Sequence, residues 1–300
     1  MPLTVTPLAV GELDGGRAQP ICRVFPQVAR ALLRTARALP GPGRASTRLE
    51  RVEPVVVLIL FAVLIGALSQ RVTGMGFGLV SGPFLVLLLD PVSGVVLVNV
   101  CGIVASGTVF LRTWREVEWG SFWQLALGAV IGTLPGALLA VVLPAAPLQI
   151  LIGLLIIGSL TSSMLIGRTG TSIPANFATK FTAGALSGTM SAAAGAGGPA
   201  VSAYAVLTGW GQRSFAATLQ PFLVVGTASA IVVKMLFAEA AWPQLEMPTW
   251  IGIAMVIAVG LVGGDWLSKR LDAATARIGM LVLAFGGGIA ALVKGLISLG

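Results

Sequence analysis

From residue 54 onward the chain is written almost entirely in apolar residues, with polar positions reduced to short punctuation. Continuous apolar runs at 92–111, 119–142, 148–166, 214–237, 250–267 and 275–298 each predict a membrane-crossing helix, because about 20 apolar residues span a bilayer core. Two further runs, 55–89 and 177–207, are interrupted. The second reads Gly195-Ala196-Gly197-Gly198-Pro199 at its break and continues through Ser202 to Tyr204. Glycine and proline disfavour helix interiors, and lipid cannot satisfy the backbone groups that a break releases. Such a break survives at membrane depth where protein or a water-filled cavity covers it, which marks it as a candidate binding site. The pattern predicts an all-α polytopic membrane protein with about eight transmembrane segments.

A matching break lies in the first half. Gly74-Met75-Gly76-Phe77-Gly78 and the following Val80-Ser81-Gly82-Pro83 align without gaps at an offset of about 121 residues, a period suited to transporter repeats. Gly74 falls on Gly195, Gly76 on Gly197, Val80 on Val201 and Ser81 on Ser202. Downstream, Ser93 meets Ser214 and the amide Asn99 meets the amide Gln220. After an insertion around 238–248, Gly132 and Gly136 match Gly260 and Gly264. The expected organisation is a basic N-terminal tail at 1–53, a first transmembrane repeat at 54–167, a connecting loop at 168–176 and a second repeat at 177–300. The first segment of each repeat is broken at its glycine-rich motif.

Loop charges bear on topology, since Lys and Arg favour the cytoplasmic side. A single helix over 54–89 would run about 54 Å, too long for one untilted crossing. Each broken element is therefore a tilted, unwound crossing or a hairpin. Arg112, Arg115, Arg168, Lys180, Arg213, Lys269, Arg270 and Arg277 should share one side, and the loops at 144–147 and 238–248, free of Lys and Arg, the other. Hairpins in both halves meet this and invert the repeats, but place the arginine-rich tail outside. A hairpin in the second half alone satisfies every charge and breaks the symmetry. Inverted repeats with broken first elements are the favoured expectation.

Composition narrows the class. The chain is 56% hydrophobic and 10% charged, with mean hydropathy +0.95, outside the soluble range. Its net charge of +8 does not imply nucleic acid, because the basic residues sit in the tail and short loops, where they meet anionic lipid head groups. The tail reads as loosely ordered; the alternative is an interfacial basic helix over 24–39 carrying Arg30, Arg34 and Arg37 on one face. No apolar run follows its charges as a signal peptide requires. Histidine is absent and Cys22 and Cys101 are the two cysteines, so neither a His/Cys metal site, a cofactor nor a disulfide framework is expected. Trp114, Trp119, Trp123, Trp242 and Trp250 fall near predicted helix ends, as interface anchors do. Gly128, Gly132, Gly136, Gly260 and Gly264 permit close helix packing.

Few ionisable groups fall within the spans. Lys234 and Lys294 lie near span ends, where a long stem can snorkel to the interface. Asp265 and Lys269 are spaced as an i,i+4 pair. No carboxylate falls mid-span, as many proton-relay or cation-coupled carriers would require, and with histidine missing no nucleophile–base pair exists, which argues against an enzyme. The polar residues at depth are neutral: Ser69, Gln70, Thr73, Ser81, Asn99, Ser187, Ser191, Ser202, Thr218 and Gln220. A helix restarting after a break presents free N–H groups and partial positive charge, which suits an anion. In this reading Gly74, Gly76, Gly78, Gly195, Gly197 and Gly198 shape two backbone gaps, and Ser81, Asn99, Ser202 and Gln220 donate hydrogen bonds to a small anion.

The motif G-x-G-x-G with a later G-P in the first half, G-A-G-G-P-A and Tyr204 in the second, and the string Ser214-Phe215-Ala216-Ala217-Thr218-Leu219-Gln220-Pro221-Phe222 resemble the sulfite exporter TauE/SafE family over about residues 55–298. The resemblance implies two related four-segment halves in a multi-pass protein of the bacterial cell membrane. It also implies transport, often export, of sulfite, organosulfonates or related sulfur-containing anions. The expected partners are that small anion, membrane lipids and a coupling proton or sodium ion, with no nucleic acid. The readings set against this are a non-transporting scaffold or accessory subunit and a lipid-head-group-binding membrane protein.

Overall fold

A computed structural model describes residues 54–299 except 75, 170–171, 238–241 and 271–272. The basic tail, including its 24–39 segment, lies outside the described residues. Among the described residues ten α-helices follow in order: α1 Pro54–Thr73, α2 Phe77–Leu88, α3 Pro91–Thr113, α4 Trp119–Val142, α5 Ala145–Thr169, α6 Phe177–Ala194, α7 Gly198–Thr208, α8 Gln212–Phe237, α9 Met247–Leu267 and α10 Ala273–Ile297. A short 3₁₀ turn, Trp114–Glu116, follows α3.

Helix ends carry the expected chemistry. Pro54 opens α1, Pro91 sits at the start of α3, and the Asp90 carboxylate accepts from the backbone N–H groups of Val92 and Ser93, filling donors a helix start leaves free. Asn176 and Thr179 form a reciprocal capping box at α6, and Gly209 closes α7 in the left-handed conformation.

Among the described residues, seven helices are long and apolar enough to cross a membrane. Helix α6 is not among them, because Thr179, Lys180, Thr182, Ser187, Thr189 and Ser191 dilute its apolar character; α2 is apolar but short. Both interrupted runs fold back as hairpins. Gly66 of α1 lies against Ser81 and Phe77 of α2, and Gly197, at the entry to α7, lies against Ser187 and Ser191 of α6.

Contacts near the helix ends give the chain direction. Asp265, at the end of α9, pairs with Arg71 at the end of α1 and Arg112 at the end of α3. Glu116 pairs with Arg213 at the start of α8, and Glu118 accepts from the Trp210 indole. Helices α1, α3, α5, α7 and α9 thus run toward one basic face, and α2, α4, α6, α8 and α10 away from it. Packing follows a matched scheme: α1 lies on α9 and α6 on α4, α2 on α10 and α7 on α5, while α3 meets α8 and α5 meets α10. The α4–α6 contact is the closest. A Cβ added to Gly132 would overlap the Ala185 carbonyl, and one at Gly188 the Ala129 carbonyl, while the Thr189 hydroxyl donates to the Gly132 carbonyl at 2.8 Å.

Two expectations are corrected. Asp265 engages Arg71 and Arg112 rather than Lys269, because α1 and α3 bring guanidinium groups to it from separate helices. Lys234 does not snorkel: its side chain is fully buried, on the face of α8 that packs inward. Lys294, exposed near the end of α10, donates to the Leu87 carbonyl near the end of α2 at 2.8 Å. Trp114, Trp119, Trp123 and Trp242 are exposed, whereas Trp250 is partly covered and stacks on Trp242 at 5.7 Å.

Candidate functional site

The two helix breaks have the same backbone construction. Gly74 takes φ +82° and Gly195 φ +70°, a region that costs a residue with a Cβ about 1–2 kcal/mol. The N–H of Gly74 donates to the Gln70 carbonyl at 2.8 Å, and that of Gly195 to the Ser191 carbonyl at 2.9 Å. Two residues on, Gly76 (φ −84°, ψ −14°) and Gly197 (φ −76°, ψ −20°) start the next helix from nearly the same geometry.

The breaks meet inside the protein. A Cβ on Gly78 would overlap the Gly195 carbonyl oxygen, so a glycine is required for this approach. Gly195 in turn rests against Val98. Around this crossing the helix that follows each hairpin, α3 or α8, reaches the break of the other half. Gln220 Nε2 donates to the Gly74 carbonyl at 3.1 Å, and Asn99 Nδ2 donates to the Ser191 carbonyl at 3.4 Å.

Gln70 completes the first network. Its Nε2 lies within hydrogen-bond distance of the Gly74 carbonyl, Ser106 Oγ and Gln220 Oε1, at 3.2–3.3 Å. Its Oε1 accepts from the Phe77 N–H at 3.1 Å, so a side-chain oxygen takes up the first donor of α2. Across the other break, the Ser187 hydroxyl donates to the Gly197 carbonyl at 2.6 Å.

The serines expected as donors bond within their own helices: Ser81 Oγ to the Phe77 carbonyl at 2.6 Å, and Ser202 Oγ to the Gly198 carbonyl at 2.9 Å. Ser81 is buried against Gly66, away from the gap between the breaks. Gly198 begins α7 and is buried. Gln70 and Ser106 emerge as members of the network beyond the ten residues proposed from sequence. A signal for Gln70 existed: it stands one repeat offset from Ser191, the residue that Asn99 reaches.

Two spaces adjoin the breaks. A cavity of about 30 Å³ between them is lined by Gln70, Gly78, Ser106, Ser191, Gly195 and Thr227, among others, room for about one water. A cleft of about 540 Å³ lies toward the basic face, walled by Thr73, Ser163, Ser202, Trp210, Gln212 and Arg277, within the usual size of small-molecule sites. Leu79 and Gly198-Pro199 stand where they adjoin: Leu79 lines both. Among the described residues, no three His, Cys, Asp or Glu side chains gather as a metal site would require.

A family model described as Sulfite exporter TauE/SafE matches residues 58–291, which covers both hairpins, the crossing amides and the cleft. The chain belongs to the sulfite exporter TauE/SafE family. It is accordingly a multi-pass integral membrane protein of a transporter family. Neither a curated protein nor a solved structure matches this TauE/SafE chain.

Proposed function

We propose that this TauE/SafE chain is a secondary transporter that exports a small sulfur-containing or organic anion, such as sulfite or an organosulfonate, by alternating access. The observation that carries the reading is the meeting of two helix breaks of like geometry, each reached by an amide from the opposite half. In this reading residues 54–167 and 177–300 form two inverted repeats of four segments each, the hairpins counting as the first. The opposed helix directions of α1–α5 and α6–α10, and the exchange of α1–α9 for α6–α4 packing, support it. Equivalent halves can swap conformations, which opens the site to each side in turn.

The cleft is the anion's vestibule on the basic, cytoplasmic face, where Arg277 attracts negative charge. The gap shaped by Gly74, Gly76, Gly78, Gly195, Gly197 and Gly198 is the constriction, with Asn99 and Gln220 setting its two sides. The described state is then open inward and closed at the breaks. A proton or sodium ion supplies the driving gradient, and lipid surrounds the exposed apolar faces.

Radiolabelled sulfite flux in proteoliposomes, with and without an imposed proton or sodium gradient, tests the proposal. The expected result is gradient-dependent flux inhibited by unlabelled sulfite, thiosulfate or sulfoacetate and less by a simple carboxylate. No flux of any of these anions, together with a co-purifying protein partner, would replace it with an accessory-subunit reading. Turnover or retention of a lipid head group would replace it with a lipid-binding one.

A further inference from the structure

Among the described residues, three buried side chains carry polar atoms without a hydrogen-bond partner: Asn99 Oδ1, Ser191 Oγ and Lys234 Nζ. They belong to α3, α6 and α8, three helices that pack on one another. Lys234 is the extreme case, a side chain with 0% exposure whose amine meets no acceptor. A buried ammonium without an acceptor is among the costliest groups a protein can hold, and in a membrane span such a group marks a ligand pathway by default.

Its placement gives it a task. Gln220, Thr227 and Lys234 recur at seven-residue spacing on α8, which sets them on one helical face. All three are buried. Gln220 binds the first break and Thr227 lines the small cavity between the breaks. Lys234 comes next along that face, away from the basic end of the molecule. One turn before it, Ala230 packs with Ala137 of α4 and Ala192 of α6; Ala192 adjoins Ser191. The one other charge on α8, Arg213, lies at its far end and is paired to Glu116.

We propose that Lys234 is a second anion station, lying beyond the helix breaks from the open cleft, and that it takes a small sulfur oxyanion with the Ser191 hydroxyl as a further donor. The inference rests on the anion-carrier reading and deepens it. An anion leaving the constriction meets a compensating positive charge before the far face opens. The stability lost by burying the amine in the empty protein is recovered when the anion arrives.

The test is sulfite, thiosulfate and sulfoacetate binding by calorimetry to full-length protein in detergent, with thermal unfolding of each empty variant alongside. Lys234→Met keeps the side-chain length and removes the charge. It should unfold at or above the wild-type temperature without anion, while its affinity falls more than tenfold. Lys234→Arg should stay within about threefold of wild type. Glu239→Gln removes the carboxylate nearest in sequence and should leave affinity unchanged. Unchanged anion affinity in Lys234→Met would remove the station and leave the carrier reading standing. So would a large loss of stability in the empty Lys234→Met protein, or a Glu239→Gln protein behaving like it, since either makes the lysine a structural partner. No binding of any of the three anions to the wild type would reject the anion-carrier reading itself, and the station with it.

Discussion

A Cβ has no room at Gly78, and at Gly195 it meets both Val98 and a left-handed backbone. Gly195→Ala should therefore cost about 1–3 kcal/mol, read as a lower unfolding temperature in detergent, and should reduce flux by spreading the two breaks. Gly74 shares the left-handed backbone but has open space around it, so Gly74→Ala should be the milder of the pair. Gln220→Leu leaves Gln70 without one of its partners and strips the Gly74 carbonyl of a donor. Leaving such groups unpaired costs about 1–3 kcal/mol, and flux should fall at least tenfold. At the basic face, burial alone would raise the Glu118 carboxyl, but hydrogen bonds from Ser214, Trp210 and Ser121 outweigh it and hold its pKa below the usual carboxylate value. A depressed folded pKa stabilises the protein above the unfolded pKa, and that stability is lost as pH falls through the folded value. Melting temperature should thus fall as the medium is acidified below the ordinary carboxylate range, and Glu118→Gln should flatten that decline.

Helices α4 and α6 touch backbone to backbone through Gly128, Gly132, Gly184 and Gly188. Gly132→Val should push them apart at a cost of roughly 1–3 kcal/mol or more, visible as reduced yield and melting temperature. The four-residue spacing of Gly128, Gly132 and Gly136 is plain in the sequence, and it identifies a packing face. The partner of that face is not readable, because any apolar helix offers a surface of similar composition. The Asp265 clamp shows the same limit. A local i,i+4 rule selects Lys269, whereas tertiary packing supplies Arg71 and Arg112 from α1 and α3. The clamp is partly exposed, so Asp265→Asn should cost no more than about 1 kcal/mol. Lys234 shows the limit at a single side chain: its distance from the helix end does not say which way it turns, and packing turns it inward.

At the scale of the whole molecule, the hairpins put the start of α1 on the face opposite Arg112, Arg213 and Arg277. Single cysteines introduced at Thr113, at the end of α3, and at Phe237, at the end of the equivalent α8, in a background without Cys22 and Cys101, should label from opposite sides of a sealed membrane vesicle. Labelling of both from one side would reject the inverted arrangement. Sequence alone determined the membrane class, the family resemblance and the positions of both breaks, because these depend on local composition and on order along the chain. It also paired Asn99 with Gln220 through the offset between the halves. Tertiary structure decided that the interrupted runs fold back, that their breaks touch at Gly78 and Gly195, and that Gln70 joins the network. Those outcomes depend on which helix faces which across more than a hundred residues, and apolar helices in a membrane carry little in their sequence to distinguish one neighbour from another.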